Sequence, residues 1–157
     1  MRVLFVCTGN SCRSVMAAAV MRHILETANV HTIQIESAGV FAIEGMRATQ
    51  ETVRVLQEIG IVCGEHRARR TTEVMMNKAD LVFVMERFQG EELANSFPNA
   101  ASKVHLLKTY GLAPHEVEGD PNIADPIAKP LEVYEVCLSQ IRTAVERVCR
   151  HLGVRNA

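Results

Sequence analysis

The sequence predicts an α/β fold, a parallel sheet with helices covering both of its faces. Three observations carry that prediction. Short β-branched and aromatic runs alternate with segments of helical spacing. The first run ends in a loop of small polar residues that opens a helix. The chain closes on a long helix with one apolar stripe. The 157 residues fit one domain spanning 1–157, and at that length a domain buries roughly two-thirds of its unfolded surface.

Arg2 to Val6 is a short β-branched and aromatic run and reads as a buried strand. After the loop, Ser14 is placed to cap a helix over Val15 to Glu26, a stretch rich in Ala, Met, Ile and Leu. Thr32 to Ser37 alternates Ile33 and Ile35 with polar neighbours and stops at Gly39, which predicts a second strand. A helix follows from Thr49 to Ile59, with Val53, Leu56 and Ile59 on one face and Gly60 as its stop. Thr72 to Lys78 is a short helical piece before a third strand, Leu81 to Met85. Glu86 to Ser96 is helical, and Val104 to Leu107 is the fourth strand candidate. Pro114 to Pro130 holds four of the five prolines and is mostly loop. In the last helix Val133, Cys137, Ile141, Ala144, Val148 and Leu152 step by three or four and form the apolar stripe. No internal repeat or low-complexity segment interrupts the series.

The composition is 48% hydrophobic and 22% charged, with a net charge of −1. That balance gives no reason to expect nucleic acid or an anionic membrane as partner. No apolar run approaches the roughly 20 residues of a membrane span. The opening apolar run is too short for a secretory signal. Five cysteines (Cys7, Cys12, Cys63, Cys137, Cys149) are an odd number for a disulfide framework, so a reducing cytoplasm is expected. Their spacing contains no C-x-x-C pair, and no metal site is expected.

The chemistry is concentrated in Cys7-Thr8-Gly9-Asn10-Ser11-Cys12-Arg13-Ser14, between the first strand and the first helix. A loop at the carboxyl end of a parallel strand points backbone N–H groups and the positive helix end at one spot. Small residues such as Gly9 and Ser11 let the backbone curl around a tetrahedral dianion. Arg13 offers a fork for two phosphoryl oxygens that a lysine does not reproduce. A thiol at the head of such a loop sits in a field that favours the thiolate, a nucleophile able to attack phosphorus. The plainer reading is a buried strand-end cysteine before a routine turn; the order of strand, polar loop, arginine and helix argues against it.

The octet after an apolar strand resembles the signature loop of the low-molecular-weight protein tyrosine phosphatases. The similarity extends to Ser37-Ala38-Gly39-Val40-Phe41-Ala42, to Gly60-Ile61 with His66-Arg67-Ala68-Arg69, to Ala79-Asp80-Leu81-Val82, and to Asp125-Pro126 ahead of Tyr134. It covers essentially the whole chain. The resemblance implies a four-stranded parallel sheet and hydrolysis of phosphorylated proteins without metal or other cofactor. It implies Cys7 as nucleophile and Arg13 as the residue that binds the phosphoryl group and its transition state. Backbone N–H groups of Thr8, Gly9, Asn10, Ser11, Cys12, Arg13 and Ser14 would complete the cradle. Asn10 and Ser14 match supporting positions, the first holding the turn and the second donating to the thiolate. His66 matches a histidine that supports the loop; taken alone, it is equally a surface residue. Asp125 matches the acid that protonates the leaving group and then activates water, a task for which it must hold a proton. Asp120-Pro121 is a competitor with the same dipeptide, and spacing to the last helix favours Asp125. Two readings of Cys12 stay open, a reversible disulfide with Cys7 or a free thiol packed beneath the loop.

The chain also departs from the family pattern. Val15 stands where the family usually has Pro. Ile127-Ala128-Lys129-Pro130 follows Asp125-Pro126 where tyrosine-directed members carry aromatic residues. One wall for a phenyl ring is therefore weak, and Phe41 is the candidate for another. Thr8 matches the bacterial protein-arginine phosphatase branch, so phosphoarginine is slightly favoured over phosphotyrosine. Arsenate reduction would need relay cysteines after the third strand, and Met85 to Asn95 contains none. A module that only binds phosphorylated partners has no use for Cys7 and Asp125 together. The expected assembly is a monomer or weak homodimer.

Overall fold

A computed structural model describes residues 1–154; the last three residues of the expected 1–157 span lie outside the described residues. In chain order the elements are β1 (Arg2–Cys7), α1 (Arg13–Thr27), β2 (Gln34–Gly39), α2 (Gln50–Glu58), α3 (Glu73–Lys78), β3 (Leu81–Val84), α4 (Arg87–Ser96), β4 (Val104–Leu106) and α5 (Leu131–His151). The four strands form one sheet in the order β2-β1-β3-β4, and every neighbouring pair is parallel. The sheet and the alternation of strands and helices are as the sequence predicts.

Side chains of β1 alternate between the two faces, as the period of a strand requires. Val3, Phe5 and Cys7 join a core built with α1, α2 and α5, in which Met16, Leu56, Ile141 and Val148 are fully buried. Leu4 and Val6 face the other way and pack with Met76 of α3 and Leu93 of α4. Both faces are thus covered, which is why β1 and β3 read as nearly continuous apolar runs. Among the described residues no helix is long and apolar enough to cross a membrane.

Four local expectations are corrected. Ser14 does not cap α1. The helix starts two residues earlier, with Cys12 in the cap position and no side-chain cap bond, and Ser14 is turned inward and fully buried. The second strand runs over Gln34–Gly39 rather than Thr32 to Ser37, because its pairing with β1 continues to Cys7 opposite Gly39. In α2 the buried positions are Thr52, Val55 and Leu56, while Ile59 is exposed. There the hydroxyl of Thr49 takes the N–H of Thr52 as the helix cap, which sets that face inward. On α5 Cys137, Ile141, Ala144 and Val148 are buried as expected, but Val133 is exposed, and Tyr134, Leu138 and Val145 widen the stripe.

The end of β2 forms a backbone wall against the loop after β1. Past Gly39 the chain keeps pairing beside that loop, with Val40 N–H donating to Cys7 O at 2.9 Å and Phe41 N–H to Thr8 O at 3.0 Å. A Cβ on Gly39 would stand 2.6 Å from Thr8 O and 2.9 Å from Asn10 N, both backbone atoms with no room to yield. Gly39→Ala is therefore expected to destabilise the fold by on the order of 2 kcal/mol. Gly90→Ala is the comparison, since its Cβ would meet only side-chain carbons at 3.6 and 3.7 Å and helix propensity should raise stability by roughly 0.5–1 kcal/mol. Urea denaturation of the two variants checks this; equal stability of both would mean that the loop does not need the bare backbone at 39.

Candidate active site

The loop between β1 and α1 is held by the side chain of Asn10. This residue adopts φ of 53°, in the left-handed region that asparagine tolerates better than most residues. Its Oδ1 accepts the N–H of Arg69 at 3.0 Å. Its Nδ2 donates to Ser14 Oγ at 2.9 Å and to Ser37 Oγ at 3.1 Å. The Ser14 hydroxyl also lies 3.0 Å from Cys7 Sγ, and a thiolate there only accepts, so with the sulfur ionised Ser14 is the donor. The backbone N–H of Asn10 also donates to that sulfur, at 3.3 Å. Cys7 thus faces two donors, and the first helical hydrogen bond, Met16 N–H to Cys12 O, leaves the preceding N–H groups at the open end of α1.

Arg13 lies opposite. Its side chain is 1% exposed, yet it is surrounded by acceptors. Nη1 donates to Glu86 Oε2 at 2.5 Å and to Ile123 O at 2.8 Å. Nη2 pairs with Asp125 Oδ2 at 2.9 Å. Nε is buried with no partner. Burial works against the guanidinium charge, but the Glu86 hydrogen bond and the negative fields of Cys7, Asp125 and Glu86 outweigh it and hold its pKa above the usual arginine value. Cys7, Thr8, Gly9, Ser11, Cys12 and Arg13 line one side of a cavity of about 210 Å³, and Asp125 and Ile127 line the other. A larger cleft of about 290 Å³ lies beside α5, between Lys108 and Arg147, but it contains no cysteine or other nucleophile set against a base. The smaller cavity brings a thiol, a buried cation and a carboxylate together.

The structure therefore gathers Cys7, Thr8, Gly9, Ser11, Cys12, Arg13 and Asp125 around one cavity. Asp125 Oδ1 also accepts the N–H of Ile127 at 3.1 Å, which fixes the turn. Asp120 is elsewhere, bonded to Asn122 and Lys108. His66 reaches the loop, with Nε2 at 2.6 Å from Asn10 O; a carbonyl only accepts, so Nε2 carries the proton. Asn10 and Ser14, expected as supporting positions, are fully buried, and the cavity lining does not include them. Phe41 is not among the residues lining the cavity and is about half exposed. Cys12 is a free thiol whose Sγ lies 3.5 Å from Thr49 Oγ1 and 3.8 Å from Tyr134 Oη. Burial pushes the thiols of Cys137 and Cys149 up to about 12 and about 11, so neither ionises near neutral pH.

Glu86 and Gln89 were not singled out by the sequence. Gln89 at the third position after Glu86 reaches back to the Glu86 N–H, a capping spacing that could have marked it. Nothing local marks Glu86 as the partner of an arginine 73 residues earlier.

Comparison with known proteins agrees with this geometry. The family model for low molecular weight phosphotyrosine protein phosphatase matches residues 2–156. The chain belongs to that family. It is accordingly a phosphatase, a hydrolase of phosphorylated proteins. A protein-arginine-phosphatase of Geobacillus stearothermophilus is 37% identical over 152 residues, covering 96% of this chain and 95% of the relative. A probable low molecular weight protein-tyrosine-phosphatase, EpsP, of Ralstonia nicotianae is 35% identical over 144 residues, covering 92% and 90%. Among solved structures, a mutant of the YwlE arginine phosphatase with a phosphorylated active-site serine superposes with a TM-score of 0.89 at 30% identity, covering 99% and 98%.

The His66 ring supplies a test of the loop's support. Burial lowers its pKa below the usual 6.5; the bond to Asn10 O opposes the shift, and the charges of Arg22 and Arg69 reinforce it. A depressed folded value means that the native state binds fewer protons than the unfolded chain just below pH 6.5. The stability is full above about 6.5 and is lost as pH falls through that window. Proton NMR of the His66 ring should give a midpoint below 6.5, and His66→Gln should lose less stability between pH 7 and 5.5 than the natural chain. A midpoint above 6.5 would contradict the buried, Nε2-protonated ring.

Proposed function

We propose that this phosphatase works through a phosphocysteine at Cys7 and that it prefers phosphoarginine to phosphotyrosine in its protein substrates. The observation that carries the chemistry is that Cys7, whose Sγ meets the Ser14 hydroxyl and the Asn10 N–H, and Arg13 line the same cavity. A phosphoryl group bound there takes Nε and Nη2 of Arg13 and the loop N–H groups as donors. Nη2 is held by Asp125 in the structure, so an arriving phosphoryl group competes with that carboxylate and frees it for the leaving group.

The sulfur then attacks phosphorus, the P–S bond forms, and the P–N or P–O bond to the substrate breaks. Asp125, in its protonated form, gives its proton to the departing nitrogen or oxygen. In the second half, Asp125 takes a proton from water as the water oxygen attacks phosphorus. The P–S bond breaks, and inorganic phosphate and the thiolate are released.

The preference for phosphoarginine rests on the wall. The lining residues include the hydroxyl-bearing Thr8, the carboxylate of Asp125 and one large apolar residue, Ile127, with no aromatic ring among them. A guanidinium leaving group carries N–H donors for such a wall, whereas a phenyl ring gains most from aromatic faces. The names of the Geobacillus relative and of the YwlE structure support the same reading.

Two measurements test it. Cys7→Ser is expected to abolish turnover of para-nitrophenyl phosphate, and Asp125→Asn to lower kcat by roughly a hundredfold or more. On one peptide carrying phosphate at arginine or at tyrosine, kcat/KM is expected to favour phosphoarginine by about tenfold, or about 1.4 kcal/mol of transition-state binding. A tenfold preference for phosphotyrosine would refute the substrate assignment and leave the cysteine chemistry standing.

A further inference from the structure

We propose that Gln89 is a positioning residue for this site, setting the direction of the Thr8 hydroxyl at the cavity wall. The inference rests on the reading of that wall as one suited to phosphoarginine. Gln89 lies in the first turn of α4 and is fully buried. Its Oε1 accepts the N–H of Met85 at 2.9 Å and of Glu86 at 3.0 Å. Backbone N–H groups only donate, so these two bonds fix which end of the amide is oxygen. The other end, Nε2, is a donor, and it lies 3.1 Å from Thr8 Oγ1, across 81 residues of sequence.

A cap for α4 requires only the Oε1 bonds. The third bond serves the loop. A hydroxyl that accepts from Gln89 keeps its own proton and one further lone pair for other partners. Thr8 lines the cavity next to Cys7, so a substrate there meets a hydroxyl whose rotation is restrained. Its proton suits a phosphoryl oxygen and its lone pair an N–H of a phosphorylated guanidinium. A phenyl ether carries no N–H for that lone pair. The same amide fixes the main chain of Glu86, whose carboxylate holds Arg13. Gln89 therefore ties the selecting wall and the phosphate-binding cation to one buried group.

The test is a double-mutant cycle read as substrate preference. Gln89→Glu keeps the shape and the acceptor toward Met85 and Glu86 but replaces the donor, so Thr8 must turn its proton into the carboxylate. Gln89→Met removes the donor without adding charge. Each is expected to lower the ratio of kcat/KM for phosphoarginine over phosphotyrosine peptide by about tenfold. In a Thr8→Val background the same substitutions should change that ratio by no more than about twofold. An unchanged ratio in the single variants, or the full change in the Thr8→Val background, would overturn the proposal. Where the natural protein itself prefers phosphotyrosine, the substrate assignment fails separately. The coupling between positions 89 and 8, measured on the phosphotyrosine peptide, then decides: non-additive effects support the positioning role and additive ones overturn it. Thermal melts show whether the variants fold. On the natural protein, NMR of the Gln89 side-chain amide gives a second reading, with its resonances expected to shift in Thr8→Val and no shift counting against the bond.

Discussion

A guanidinium removed from water must be surrounded by acceptors, because an isolated buried charge costs many kcal/mol. Arg13 imposes that condition on segments far apart in the chain. Glu86 comes from the junction of β3 and α4, while Ile123 O and Asp125 come from the proline-rich stretch before α5. Each is brought to one cation at the carboxyl end of the sheet. A buried ion pair is weak evidence for net stability, since desolvation consumes much of the attraction. What it fixes is arrangement: Nη1 is held by Glu86 and Ile123 O and Nη2 by Asp125, while Nε is buried without a partner.

The parallel sheet makes that convergence possible. Parallel strands end on the same edge, so the exits of β1, β2 and β3 lie side by side, with Cys7 opposite Gly39 and Val6 opposite Val84. The exit of β1 becomes the loop, that of β3 becomes Met85 and Glu86, and that of β2 supplies the backbone along Cys7 and Thr8. The left-handed turn at Asn10 is a local strain, and the surroundings over-determine it. Arg69 N–H, Ser14 Oγ, Ser37 Oγ and the His66 ring all bond to that one residue.

How much of this was legible depends on distance along the chain. The strands, the long helix and the octet from Cys7 to Ser14 were readable because pattern and chemistry lie within a few consecutive residues. Ser14 was misplaced because a serine before a helix suits a cap and an inward hydroxyl equally well; only the donor from Asn10 decides between them. Asp125 was reachable through a family resemblance, whereas Asp120, with the same dipeptide, differs from it only in where the fold sends it. Glu86 and Gln89 were not legible as site residues, since their partners lie 73 and 81 residues away and nothing local requires them. Phe41 was a candidate wall through the family comparison, but it lies half exposed and outside the cavity lining.

Four of the five thiols in the chain are sorted by what surrounds them rather than by residue type. Cys137 and Cys149 lie among apolar side chains, and burial raises them to about 12 and about 11. Cys12 shares the loop with Cys7, but its Sγ donates toward the Tyr134 oxygen, whose own phenol is pushed by burial up to about 12 and stays neutral. Cys7 differs in the direction of its hydrogen bonds. The Ser14 hydroxyl and the Asn10 N–H both point at its sulfur. The Ser14 hydroxyl is held by the Asn10 amide, and the amide is in turn held by Arg69. The surroundings of Cys7 thus trace back, through Ser14 and Asn10, to a backbone N–H on a different loop.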